Sequence, residues 1–511
     1  MNITLDAKNQ KGAQADCRVI VAFNRKKTTK KGKKEVTESV LVTSGWTTEQ
    51  KESFESLKSN ENFKGEAGSS FRFYDADGTP VYAIGLGEKS KANAESLRRA
   101  IAGSFKAASS EKAKSVSYDI DQLNVVKGIE KAITIVTETL GMCHYVFNKH
   151  KPSVKSSSIA DVFLAFNGKK ATVKMEKALQ HGINSSESIN YCRDLVNEAP
   201  NILHSEEYSK RIQEDVKATF KGKGVKVKVL NKAQMKKEKM NLFLSVNAGS
   251  GYEPQLVHLT YTPKKVTKNT KHIALVGKGI TFDTGGYSLK PSSAISGMKF
   301  DMGGSATLYG AFRSAVLNDC PNKVTCILAL TDNAVSSFAT FPDSIVKARN
   351  GKTVEILNTD AEGRLILADS LDYAGDLKPD TIINAATLTG ACLVALGTEV
   401  CALMGNDNKL KQALLKTAKG QDEYMWELPI IDEWRNDMKS DIADLKNIGS
   451  SRFAGTAKAA AFLENFIQDG IKWAHLDIAG VCDSQKHLPY CPSKGGSGVI
   501  VRTVADYLHN A

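Results

Sequence analysis

The chain has 511 residues, 41% of them hydrophobic and 24% charged, with 39 glycines; this is the make-up of a globular protein with a sizeable core and excludes a mini-protein, a disordered tail or a collagen-like repeat. No run approaches the roughly 18 consecutive apolar residues of a membrane helix, and the start MNITLDAKNQ lacks the apolar centre of a signal peptide, so a cytoplasmic location is expected. Net charge is +13, and nine scattered cysteines without CxxC spacing read as buried free thiols.

The basic excess sits early: residues 1–170 hold 28 Lys and Arg against 19 Asp and Glu. Strand-like runs over 17–23, 39–42, 71–74, 81–86, 115–120 and 160–166 alternate with helical patterns near 91–110 and 127–147, which predicts a small α/β domain over 1–170. Its densest charge run, Arg25-Lys26-Lys27-Thr28-Thr29-Lys30-Lys31-Gly32-Lys33-Lys34, has no interleaved aromatics and reads as a solvated hairpin loop; the alternative is a phosphate-contacting patch for nucleic acid. Helical stretches at 171–182 and 188–197 form a linker region, 171–200, before a larger unit over 201–511. That unit opens with a helix near 205–219 and a lysine-rich loop and strand, 221–230. From 272 onward the buried-strand runs HIALVGKGI, KVTCILAL, TIINAATL and WAHLDIAG, separated by helix-length segments, predict a mixed sheet covered on both faces.

Chemistry concentrates between 276 and 364. Val276-Gly277-Lys278-Gly279-Ile280-Thr281-Phe282-Asp283-Thr284-Gly285-Gly286 is not a phosphate loop, because no Ser or Thr follows the lysine and a second glycine pair replaces the expected helix start. It reads instead as a strand end that projects an amine and a carboxylate. Downstream come Lys290, then Asp301 before Gly303-Gly304, then Asn358-Thr359-Asp360-Ala361-Glu362-Gly363-Arg364, whose acids fall at a helix N-terminus. Singly, each acid reads as a turn or cap residue. Together, Asp283, Asp301, Asp360 and Glu362 would repel one another unless cations neutralised them, and four negative charges balance two divalent metals. The histidines form no HExxH, His475 reads as a core residue, and no GxSxG is present.

VGKGITFDTGG, SLKP, MKFDMGG, NTDAEGRL and ATLTGA, in this order, resemble the leucyl aminopeptidase family of two-metal cytosolic exopeptidases. The resemblance runs from about Arg193 through the glycine-rich tail, while residues 1–170 match no motif. Thr331 to Thr340 lacks the family's Pro-Ser-Gly and nearby glutamate, and Gly495-Gly496-Ser497-Gly498 replaces a more aromatic closing turn. The resemblance implies a macro-domain-like N-terminal domain, a catalytic α/β/α domain and a homohexamer. It implies that Asp283 and Glu362 bridge two divalent ions, zinc first, with manganese or cobalt in the exchangeable site. Lys278, as a neutral amine, and Asp301 would complete one site and Asp360 the other. A metal-activated water would be the nucleophile, Lys290 would polarise the scissile carbonyl, and Arg364 would hold a bicarbonate that shuttles protons. Met298, Thr387 and Gly390 would line an apolar pocket for the first residue of peptides with a free N-terminus. A nucleic-acid-binding relative of the same fold, using its basic N-terminal third, is the alternative.

Overall fold

The computed structural model describes residues 1–31, 34–57 and 62–511, and divides into two compact units: 1–187 with 486–491, and 188–485 with 492–511. The division falls inside one continuous helix, Val173–Asn197, which occupies the stretch read from sequence as a linker.

The first unit is a seven-stranded sheet of β1 (Asn2–Ala7), β2 (Cys17–Lys31), β3 (Lys34–Val42), β4 (Ser70–Tyr74), β5 (Pro80–Glu88), β6 (Ser115–Asp119) and β7 (Asp161–Phe166), in the order β1-β7-β6-β2-β5-β4, with β3 on β2. β2 is buried on both faces over its first half. Cys17, Val19, Val21 and Phe23 pack with Leu97 and Phe105 of helix Ala94–Ser110 and Ile133 and Leu140 of helix Ile129–His144, while Ile20 and Ala22 pack against Trp46, Phe54 and Phe73. Alternation along one strand therefore feeds two cores.

The basic run is not the loop the sequence suggested. β2 continues through it to Lys31 and β3 returns from Lys34, antiparallel, with Lys27 opposite Glu38, Thr28 opposite Thr37 and Lys30 opposite Glu35; Gly32 and Lys33 lie outside the described residues. The threonine hydroxyls of Thr28 and Thr37 meet at 3.0 Å. β-branched residues such as Thr28, Thr29 and Thr37 favour the extended backbone, and a lysine-rich edge discourages pairing with further strands.

The second unit holds β8 (Val225–Leu230), β9 (Gln255–Tyr261), β10 (His272–Asp283), β11 (Lys323–Asn333), β12 (Ser344–Lys347), β13 (Thr353–Ile356), β14 (Thr381–Ala386), β15 (Cys401–Gly405), β16 (Met425–Glu427), β17 (Leu445–Lys446) and β18 (Lys472–Asp477). Eight of them form one sheet in the order β16-β15-β18-β14-β10-β11-β9-β8; β12, β13 and β17 form a small second sheet. The centre, β18-β14-β10-β11, is parallel, and β9 and β15 join it antiparallel. These central strands are the four apolar runs read from the sequence. Helices Gly303–Leu317 and Gly363–Gly375 are buried along nearly their whole lengths, which explains their small and aliphatic residues. Because the four central strands run the same way, Asp283, Asn333, Thr387 and Asp477 gather at one end of the sheet, the end where open α/β sheets place their ligands. Among the described residues, no helix is long and apolar enough to cross a membrane.

Candidate metal centre

Lys278 and Asp283 both lie on β10 but are five residues apart, an odd spacing that puts side chains on opposite faces of a regular strand. A bulge corrects this. Ile280 pairs with Thr331 and Asp283 with Asn333, so three steps on β10 match two on β11 and the two side chains return to one face. Asp301 comes from the 3-10 turn Met298–Met302, which leads directly into helix Gly303–Leu317. Glu362 is the N-cap of helix Gly363–Gly375, with Asp360 two residues earlier.

These elements deliver oxygens of Asp283, Asp301 and Glu362 to within 4.8 Å of one another, all three side chains buried. Two ammonium groups stand among the four acids. Lys278 Nζ lies 2.8 Å from both Asp301 Oδ2 and Glu362 Oε1. Lys290 Nζ lies 2.8 Å from Asp283 Oδ2 and 2.6 Å from Asp360 Oδ1. The approach is close but badly angled: Asp301 Oδ2, Asp360 Oδ1 and both Glu362 oxygens are buried without a well-directed hydrogen bond, while Lys278 donates to the carbonyl of Thr387 at 3.0 Å. Buried carboxylate oxygens paired by charge alone are the donor set a hard or borderline cation takes. The site thus fits divalent metal.

The electrostatics are those of an acid cluster short of positive charge. Burial raises the carboxyl pKa of Asp301, Glu362 and Asp360, and in each case the neighbouring Asp283 pushes the same way. Burial alone would lower Lys278, but Asp301, Glu362 and Asp283 outweigh it and hold the ammonium protonated. Lys290 is held protonated in the same manner, by Asp283 and Asp360. The sequence argument required a neutral Lys278 beside two dications; with carboxylates as its only charged neighbours the balance runs the other way.

Glycines make the close approaches possible. A Cβ on Gly363 would sit 2.5 Å from Lys278 Nζ, and Gly285, at φ +89°, turns the chain beneath Asp360 where a Cβ would lie 3.0 Å from its Oδ1. Asp283 is oriented by two donors to its Oδ1, the Gly285 amide at 2.9 Å and Asn333 Nδ2 at 2.8 Å, which leaves Oδ2 facing the cluster. Asn333 also donates to the carbonyl of Thr359 at 3.0 Å, tying the two acid-bearing loops together.

Arg364 is buried, donates through Nη1 to the carbonyl of Asn447 at 2.6 Å, and leaves Nε without a partner. Burial pulls its guanidinium down to about 10, against Glu362 and Asp477. His475 is a core residue, as read from the sequence, but only half satisfied: Nδ1 meets Asn384 Nδ2 at 2.8 Å and Nε2 has no partner. Of the three pocket candidates, Met298 opens the 3-10 turn half-buried, and Gly390 begins helix Gly390–Leu396 facing open space. Thr387 does more than line space, since its hydroxyl donates to Asp301 Oδ1 at 2.9 Å. Sequence reasoning missed Asn333, Asn447 and Asp477, the last fully buried with its carboxylate accepting from the Leu388 amide and Thr389. No spacing flagged them, because each acts on a loop remote in sequence.

Residues 190–505 match the catalytic domain of the cytosol aminopeptidase family and residues 32–153 its N-terminal domain. A probable cytosol aminopeptidase of Persephonella marina is 38% identical over 431 residues, 84% of this chain and 85% of that protein. One from Aquifex aeolicus is 38% identical over 455 residues, 88% of each. Among solved structures, the bottromycin maturation enzyme BotP superposes with a TM-score of 0.81 at 29% identity over 97% of this chain and 99% of that one, and BotP in complex with Mn gives 0.82. With both domains matched and these relatives aligned over most of their length, the chain belongs to the cytosol aminopeptidase family.

Proposed function

We propose that the protein is a metal-dependent aminopeptidase that removes N-terminal residues, leucine and other apolar residues first, from peptides. The observation that carries this is the buried trio Asp283, Asp301 and Glu362 around Lys278. Asp283 and Glu362 would be shared by two divalent ions, Lys278 and Asp301 would complete one position, and Asp360 the other. Zinc is the first expectation, with manganese or cobalt in the exchangeable position; the manganese in BotP supports the latter. When bound, such ions supply electrophilic activation of a carbonyl and of water at neutral pH. Lys290, held protonated, faces the same carboxylates and is the residue to polarise the scissile carbonyl. Arg364, with Nε unpartnered in a buried site, suits a small anion such as bicarbonate as proton shuttle. Met298, Thr387 and Gly390 would bound the first-residue pocket.

A homohexamer in the cytoplasm is part of the same reading, and side chains such as Val394, Phe338, Phe453 and Trp426, exposed on the catalytic unit, support burial against further copies. Nucleic acid is not, because glutamates oppose lysines along the basic hairpin. The test is hydrolysis of a leucyl anilide with free and with acetylated amine by protein of measured metal content. Cleavage of the free substrate alone, abolished by chelation and restored by metal, is expected; equal cleavage of the acetylated substrate would overturn the exopeptidase reading.

A further inference from the structure

The acid-bearing loop 357–362 is irregular backbone with Thr359 and Glu362 buried. Buried amides and carbonyls outside regular structure need partners from elsewhere, and carboxylates that are to share cations must be held to about half an ångström. One residue, 85 to 90 positions away and fully buried, meets most of that need. Asn447 Oδ1 accepts from the amides of Leu357 at 2.9 Å and Asn358 at 3.3 Å. Its Nδ2 donates to the carbonyl of Asn358 at 2.6 Å and lies 3.5 Å from that of Ala361. Its own amide donates to the carbonyl of Glu355 at 2.9 Å, and its carbonyl accepts Arg364 Nη1 at 2.6 Å. Asn358 in turn accepts the Asp360 amide at 2.8 Å. Every polar group of Asn447 is thus directed at the segment 355–364. The side chain must accept and donate at once within one short reach: aspartate lacks the donor and leucine lacks both.

We infer that Asn447 is a positioning residue that sets Asp360, Glu362 and Arg364 as one unit. The inference rests on the metallo-aminopeptidase reading above. Partners behind metal ligands typically change metal affinity by about 10–100-fold when removed. Asn447→Ala keeps the carbonyl that holds Arg364 but frees the loop, and Asn447→Asp keeps the size and the acceptor while removing the donor. Asn406→Ala is the control: Asn406 also staples a turn, accepting the Trp473 amide at 2.7 Å and donating to Ile471 at 3.0 Å, at the opposite end of the sheet.

The experiment titrates metal-free protein with Co2+, following visible absorption and bound metal, beside thermal unfolding of the metal-free forms. Both Asn447 variants should bind cobalt on the order of 10–100-fold more weakly with an altered spectrum, whereas Asn406→Ala should unfold at lower temperature with an unchanged spectrum. Wild-type affinity and spectrum in a folded Asn447→Asp would overturn the inference, reducing Asn447 to a structural clamp. Wild-type protein that binds no cobalt would instead sink the metallo-aminopeptidase reading on which it stands.

Discussion

The carboxylate cluster of the catalytic unit and the basic hairpin of the N-terminal unit both concentrate charge, and the fold treats them in opposite ways. In the hairpin, Glu35 and Glu38 stand across from Lys30 and Lys27 in the strand register. Lys27 and Glu38 are exposed there, so water solvates both charges and nothing further is demanded of them. In the cluster, three acids are buried together, and the lysines that reach them leave Asp301 Oδ2 and both Glu362 oxygens without well-aligned bonds. Charge becomes a site where burial denies it solvent and geometry denies it a complete partner.

That contrast is sharpest for the proposed metal ligands. Asp283→Ala should lose metal and at least about three orders of magnitude in kcat/KM, the scale at which removal of a metal-activated nucleophile is felt; metal analysis and turnover of one preparation check it. On the proposed mechanism, in which Lys290 polarises the scissile carbonyl, Lys290→Ala should retain metal and lose kcat by on the order of 100-fold. If it lost metal as Asp283→Ala does, Lys290 would belong with the ligands.

A smaller effect concerns the partly or fully buried histidines of the catalytic unit. Burial holds His258 and His272 down to about 4 and His475 to about 3, all in the catalytic unit. Their folded-state pKa values lie below the unfolded value, so the stability they contribute is complete above about pH 6.5 and is lost as pH falls through about 4. In the N-terminal unit, burial likewise lowers His144. Thermal scans of the wild type and of His258→Gln between pH 7 and 4 should show the variant losing less stability on acidification. The least effect is expected from the hairpin: replacing Lys26, Lys27, Lys30, Lys31, Lys33 and Lys34 by glutamine should leave peptide hydrolysis within about twofold of wild type, as for surface charges. A salt-sensitive complex of the wild type with duplex DNA, lost in that variant, would break the comparison.

The sequence by itself determined the chemistry: which acids and lysines exist, their order along glycine-rich turns, and strands whose apolar runs must be buried on both faces. These are local properties, carried by spacing and composition. The tertiary structure alone decided the rest. The bulge that brings Lys278 and Asp283 to one face depends on pairing with β11, across 50 residues of chain from Asp283 to Asn333. Asn333 and Asn447 hold loops far away in sequence, and nothing in DLKNIG or LTDNA announces their partners. The basic run became strand because a returning segment paired with it, whereas lysine content alone suggested a loop. A hydrogen bond across such distances is written by topology, and a single sequence specifies its donor without naming its acceptor.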